Sequence, residues 1–102
     1  MSLPFLLSRQ AEADLRSIVR YSREQWGEAQ ARTYLQAIKQ AATRLAQGEG
    51  RYQDMGELYP GLRMVRCQHH YIFCLPRTGQ PPLIVAILHK RMDMMARLGS
   101  RL

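Results

Sequence analysis

Acidic residues all but vanish from the second half of this chain. From Gly61 to Leu102, Asp93 stands alone against seven Lys or Arg, whereas Met1 to Pro60 carries seven Asp or Glu against eight Lys or Arg. The formal net charge of +7 is therefore split as +1 and +6 between the two halves. That split argues against a uniformly neutral surface. It leaves two readings of the second half: a site for an anionic partner such as nucleic acid or an acidic peptide, or a solvated basic face that only aids solubility.

Cysteine is equally scarce. Cys67 and Cys74 are the only two, and both sit in an apolar stretch, which argues against a disulfide framework, and a reduced, core-packing role is expected for each. Together with His69, His70 and His89 they do not follow the paired spacings that set four donors tetrahedrally, so no metal site and no cofactor is expected. No strand-turn-helix elbow surrounds either cysteine, which argues against a nucleophile. No run approaches the ~18 apolar residues of a membrane span. Leu3 to Leu7 is too short for a secretory h-region and has no basic residue before it, so the protein is expected in the cytoplasm, away from the membrane. Repeats, linkers and low-complexity tracts are also missing.

What is present is a single stretch of strong pattern. Leu83 to Leu88 is an unbroken apolar run, preceded by Pro81-Pro82 and followed by His89-Lys90-Arg91. Such a run predicts a strand buried on both faces, at the centre of a sheet, whose end delivers the basic trio to a fixed place. The 102 residues have the length of one domain, 1–102, able to bury roughly 65% of the unfolded surface.

Upstream, Leu3 to Leu7 predicts a short first strand. Ser8 offers an N-cap, and Ala11, Leu15, Ile18, Val19 and Trp26 give the following helix an apolar face. Gly27 ends it. A second helix restarts near Glu28, with Tyr34, Leu35, Ile38, Ala41, Ala42 and Leu45 at helical spacing and Gly48 closing it. The short join predicts an antiparallel hairpin, with Trp26 and Tyr34 plugging it as core residues. Residues 49–60 predict an exposed loop, followed by strands at Leu62–Gln68 and Tyr71–Leu75 joined through His69-His70. Alternation puts Arg63, Val65 and Cys67 on one face of the first of these, and Leu62, Met64 and Arg66 on the other. Pro76 to Pro82 predicts a turn-rich connection, and Met92, Met95 and Leu98 predict a short terminal helix. The fold class is α+β: a short N-terminal strand, an antiparallel α-hairpin packed on an antiparallel sheet, and a C-terminal helix, with the second sheet face at least partly open.

The ordered set Ser8, Ala11, Asp14-Leu15, Ile18, Tyr21, Trp26-Gly27, Ala31 and Tyr34, then Pro60-Gly-Leu-Arg63, His70-Tyr-Ile-Phe73 and Ile87-Leu-His-Lys-Arg-Met-Asp93, resembles the ParE toxins of the RelE/ParE superfamily. The resemblance covers essentially the whole chain. It implies the toxin of a bacterial type II toxin–antitoxin pair, with growth arrest and plasmid maintenance as its context. It also implies a ParD-like antitoxin whose flexible acidic tail wraps the toxin, and operator DNA reached only through that antitoxin. In the superfamily the ParE branch poisons DNA gyrase, while the RelE branch cuts messenger RNA in the ribosome.

RNA cleavage without a metal needs a base for the 2′-hydroxyl, cations for the phosphate and an acid for the leaving oxygen. His89 as acid or base, with Arg91 and Arg63 as cations, would be the nuclease set. It is incomplete. Tyr71 stands where RelE-like enzymes place an Arg, and Lys90 where some carry a terminal Tyr. The ParE branch is therefore the expectation, a protein-binding gyrase inhibitor, with the ribosome-dependent endoribonuclease as the alternative. A small module that only binds nucleic acid is a third possibility. Target contact is assigned to His89, Lys90, Arg91 and Arg97. Antitoxin contact is assigned to Leu15, Ile18, Tyr34, Ile38, Arg63 and Arg66. Plainer roles stand beside these: His89 capping the sheet, Arg91 pairing with Asp93, Arg63 bridging to a helix carboxylate such as Asp14, and His69 and His70 as turn residues.

Overall fold

Two glycines and one serine set the frame. In the computed structural model, which describes residues 4–102, β1 (Leu6–Leu7) leads into α1 (Arg9–Trp26) through Ser8. The Ser8 hydroxyl accepts the Ala11 N–H at 3.0 Å, satisfying one of the free donors of the first turn. The expected strand start at Leu3 lies outside the described residues. Gly27 (φ +88°, ψ 170°) both stops α1, by donating its N–H to Arg23, and starts α2 (Glu28–Gln47), by accepting from Ala31. Only glycine adopts that conformation without strain, so a single residue turns the chain between two helices. Gly48, in the left-handed region at φ +73°, closes α2.

The sheet follows: β2 (Gln53–Asp54), β3 (Arg63–Cys67), β4 (His70–Arg77) and β5 (Gln80–His89), ending in α3 (Met94–Gly99). Strand order is β1-β5-β4-β3-β2. All pairs are antiparallel except β1, which lies parallel to β5 because the chain returns to it only after the hairpin and three strands. As the apolar run predicts, β5 is internal, with Ile84 to Leu88 all buried.

The pairing of β5 with β4 slips at two places, one of them within the buried run. Phe73 pairs with Ala86 but Cys74 pairs with Ile84, so Val85 is an extra residue, a β-bulge. The bulge lets Ile84 and Ile87 both face the helices while Val85, Ala86 and Leu88 face away. The first core lies between helices and sheet, where Ile38, Leu45, Ile72 and Cys74 meet. Burying each large aliphatic there contributes about 1.5–3 kcal/mol.

Four expectations need correction. Proline does not make a long connection: β4 and β5 run through Pro76 and Pro81-Pro82, and only Thr78-Gly79 turns between them. Pro76 sits at a register irregularity between Leu75 and Arg77, where a missing N–H costs no ladder bond. The far face of the sheet is not an open platform, because Leu62, Phe73, Leu88 and Leu98 form a second buried core, flanked by Met55, Leu58 and Met94. The terminal helix packs through Met94 and Leu98, four apart, while Met92 and Met95 are exposed. Asp93 caps that helix by accepting from Ala96, and this sets its phase. Trp26 is 40% exposed, so Tyr34 alone plugs the helix join.

Candidate functional site

Where β5 ends beside α1 there is a cleft of about 570 Å³. Its position follows from the hairpin register: Cys67 pairs with His70 across the Gln68-His69 turn, and His70 pairs with His89. The Lys90 N–H donates to the His69 carbonyl at 2.9 Å and Met92 N–H to the His89 carbonyl at 2.9 Å, so the basic trio leaves the sheet in a fixed turn. From α1 the opposite wall receives Ser17, Ile18, Tyr21, Ser22 and Trp26, and α3 contributes Arg97.

Three imidazoles cluster at the base. His69 and His89 lie nearly parallel with centroids 6.4 Å apart, and His70 meets His89 edge-on at 5.2 Å. Burial lowers the His89 pKa, helped by the charges of Arg91, His69 and Lys90. The Arg91 N–H donates to His89 Nδ1 at 3.1 Å, so the neutral ring carries its proton on Nε2. Burial chiefly, then His89 and His69, brings His70 down to about 4, with Asp14 opposing weakly. Its Nδ1 lies 2.5 Å from the Tyr34 hydroxyl, which donates to the Cys67 carbonyl at 3.2 Å. With Nδ1–H donating to the Tyr34 oxygen, both contacts are satisfied. Burial likewise raises the Tyr34 hydroxyl above its usual range.

His89, Lys90, Arg91 and Arg97 all line this one cleft. Arg63 does not join them. It pairs with Cys74 at the far end of β3, about 13 Å along the strand from Cys67. Its guanidinium reaches the Leu45 carbonyl at 3.4 Å and covers the Tyr52 ring at 4.9 Å. The set His89, Arg91, Arg63 is thus not assembled, and the expected bridge from Arg63 to Asp14 is absent, since Asp14 is taken by Arg101. No Arg91–Asp93 pair forms among the described residues.

The six residues assigned to antitoxin contact do not form one surface. Tyr34 and Ile38 are 4% and 2% exposed, within the core, and Ile18 is almost covered; the helical period of α1 and α2 turns them toward the sheet. Arg66 is exposed on the opposite sheet face, bonded to the Gln68 carbonyl. Leu15 alone reaches a groove, about 720 Å³, floored by Leu7, Leu15, Val19 and Leu35 and rimmed by Arg16, Arg20, Arg23 and Lys39 together with Glu12 and Glu24. Sequence reasoning missed Val19 and Leu35 as a paired outer stripe of the hairpin. It also missed Tyr21, Trp26 and His69 in the cleft, whose signal was bulky rings placed beside the turns at Gly27 and Gln68.

The family described as "ParE toxin of type II toxin-antitoxin system, parDE" matches residues 5–94. The chain belongs to the ParE toxin family. Among its relatives, Toxin ParE of Escherichia coli is 59% identical over 98 residues, covering 96% of this chain and 95% of the relative. Toxin ParE1 of Caulobacter vibrioides is 34% identical over 96 residues, covering 94% and 98%. A solved structure described as the chromosomal ParDE TA system from P. aeruginosa covers 86% of this chain and 98% of its own, with a TM-score of 0.63. At 21% identity it supports the fold alone. The ParE match ends at Met94, so Arg97 and Arg101 come from the segment beyond it.

Proposed function

We propose that this ParE toxin arrests growth by engaging DNA gyrase through the cleft rim formed by His89, Lys90, Arg91 and Arg97, and that a ParD-like antitoxin holds it inactive. The observation carrying this reading is the convergence of those four residues on one cleft. Lys90, Arg91 and Arg97 have no ion-pair partner among the described residues, so their charge is available to a partner. Dispersal of Arg63 from His89 and Arg91 disfavours the message-cutting alternative.

For the antitoxin, the apolar floor of Leu7, Leu15, Val19 and Leu35 suits an amphipathic segment, and a rim on which Arg16, Arg20, Arg23 and Lys39 outnumber Glu12 and Glu24 favours an acidic one. Ordering a flexible tail costs free energy, so a long wrapped surface is needed for tight binding. Operator DNA would be reached through the antitoxin. Among the described residues no helix is long and apolar enough to cross a membrane, and the proposed site of action is the cytoplasm, where gyrase meets DNA.

Inducible expression with purified gyrase assays tests the reading. Trapped double-strand breaks with the native protein, lost in Lys90→Glu/Arg91→Glu while antitoxin binding persists, support it. New 5′ ends on translated messages, abolished by His89→Ala with gyrase untouched, overturn it. Point substitutions are required, since truncation after Asp93 also removes core Leu98 and the Asp14 partner Arg101.

A further inference from the structure

We propose that the same cleft is a binding site for a nucleotide unit, taking a single-stranded nucleic acid with a base against its aromatic wall and the phosphate at Lys90 and Arg91. This inference stands on the cleft's own chemistry, whether or not gyrase is the target.

The aromatic wall is a continuous row. Tyr21 and Trp26 meet at 6.1 Å, Trp26 and His69 at 6.3 Å, and His69 and His89 at 6.4 Å between centroids. These rings are not core. Tyr21 is 58% and Trp26 40% exposed, and a large aromatic pair left open at the lip of a cavity marks a contact surface. The His89 ring, held neutral at physiological pH, presents a π-face and an Nε2–H to a base edge.

The row leads directly to the cations, because Lys90 is hydrogen-bonded to His69 and Arg91 to His89. Among the described residues Asp14 is the only carboxylate lining the cleft, and both its oxygens are engaged, by Arg101 and by the Ile87 N–H. A ligand entering therefore meets rings on one side and uncompensated positive charge on the other. That combination is what single-stranded nucleic acid demands, since every base has a face to stack and every linkage a charge to neutralise. An acidic peptide would use the cations but leave the ring row unoccupied. A duplex would hide its bases. The volume of about 570 Å³ lies within the ~300–1,000 Å³ of small-ligand clefts, enough for one nucleotide unit rather than a tract.

The chain's single tryptophan, Trp26, stands in this wall and reports occupancy directly. Purified toxin is titrated with a fluorescein-labelled ten-nucleotide single strand, the matching duplex, adenosine monophosphate and an oligoglutamate of equal charge. The readouts are Trp26 quenching and anisotropy. Expected are saturable quenching by the single strand, binding about ten-fold weaker in Trp26→Leu and Tyr21→Ala by anisotropy, and a log–log salt slope flattened by about 1.4 in Lys90→Gln/Arg91→Gln. Quenching by the monophosphate with no gain from the longer strand assigns the site to free nucleotides, the same chemistry from another source. Three results overturn the proposal: no quenching, equal binding of duplex or oligoglutamate, or full binding in Trp26→Leu and Tyr21→Ala. Circular dichroism confirms that each variant folds, and both aromatic changes are at exposed positions.

Discussion

Asp14 and Arg101, eighty-seven residues apart, form a bidentate ion pair: Arg101 Nη1 donates to Oδ2 at 2.6 Å and Nη2 to Oδ1 at 3.0 Å. Their side chains are only 15% and 10% exposed, so the pair is poorly screened. Asp14 Oδ2 also accepts the Ile87 N–H at 3.0 Å. One carboxylate thus joins α1, β5 and the segment after α3.

Asp14→Ala should cost about 3 kcal/mol in urea unfolding, because it strands a nearly buried guanidinium and a strand N–H together. Arg101→Met should cost less, since Asp14 keeps the Ile87 N–H. In a double-mutant cycle the two losses should fall well short of adding.

Acid should weaken the fold through His70. Its folded pKa is lowered to about 4 from 6.5, so between those values the unfolded chain binds more protons and stability rises with pH. The contribution is complete above about pH 6.5 and is lost as pH falls through 4. Because the ring is only partly buried, its size should be about 1–2 kcal/mol. His70→Asn, which keeps a polar partner for Tyr34, should flatten the pH dependence of the urea midpoint across this window.

Gly48→Ala should destabilise by about 1–2 kcal/mol. The position needs φ +73°, and an added Cβ would lie 3.2 Å from the Arg63 guanidinium, pushing it off the Leu45 carbonyl. Gly79→Ala, at φ +72° with open space around it, should show the conformational cost alone and serve as the control in thermal unfolding.

Val19→Glu places a charge on the floor of the hairpin groove. Growth arrest should persist, while co-expressed antitoxin should fail to relieve it, with affinity down at least about ten-fold. Normal rescue of Val19→Glu cells would remove this groove as the antitoxin seat.

Much of this architecture is legible locally. The uninterrupted apolar run 83–88 marks the internal strand, and Ser8, Gly27 and Gly48 mark both helices to within a residue. The Val85 bulge is not legible, since it depends on pairing with Phe73 and Cys74 across the hairpin. Nor is the cover over the far sheet face, because Leu98 meets Leu88 and Phe73 only once α3 folds back. For the site, the basic trio and Arg97 were visible as charge, and the structure gathers them. Residues with helical periodicity, Tyr34 and Ile38, were read as contact surface when the same periodicity marks the core. Arg63 illustrates the remaining gap: its partners, the Leu45 carbonyl in the last turn of α2 and the Tyr52 ring in the loop beyond, are brought to it only by tertiary packing.

Among the described residues the parallel pairing of β1 with β5 covers Leu83 and Ile84, yet the border beyond it is not bare. Ser8 and Arg101 occupy the Val85 carbonyl, and Asp14 occupies the Ile87 N–H. Side chains here imitate a missing neighbour strand, denying docking points to any stray extended peptide. This border is thereby shielded from edge-to-edge pairing, and loss of Asp14 would bare the Ile87 N–H to it.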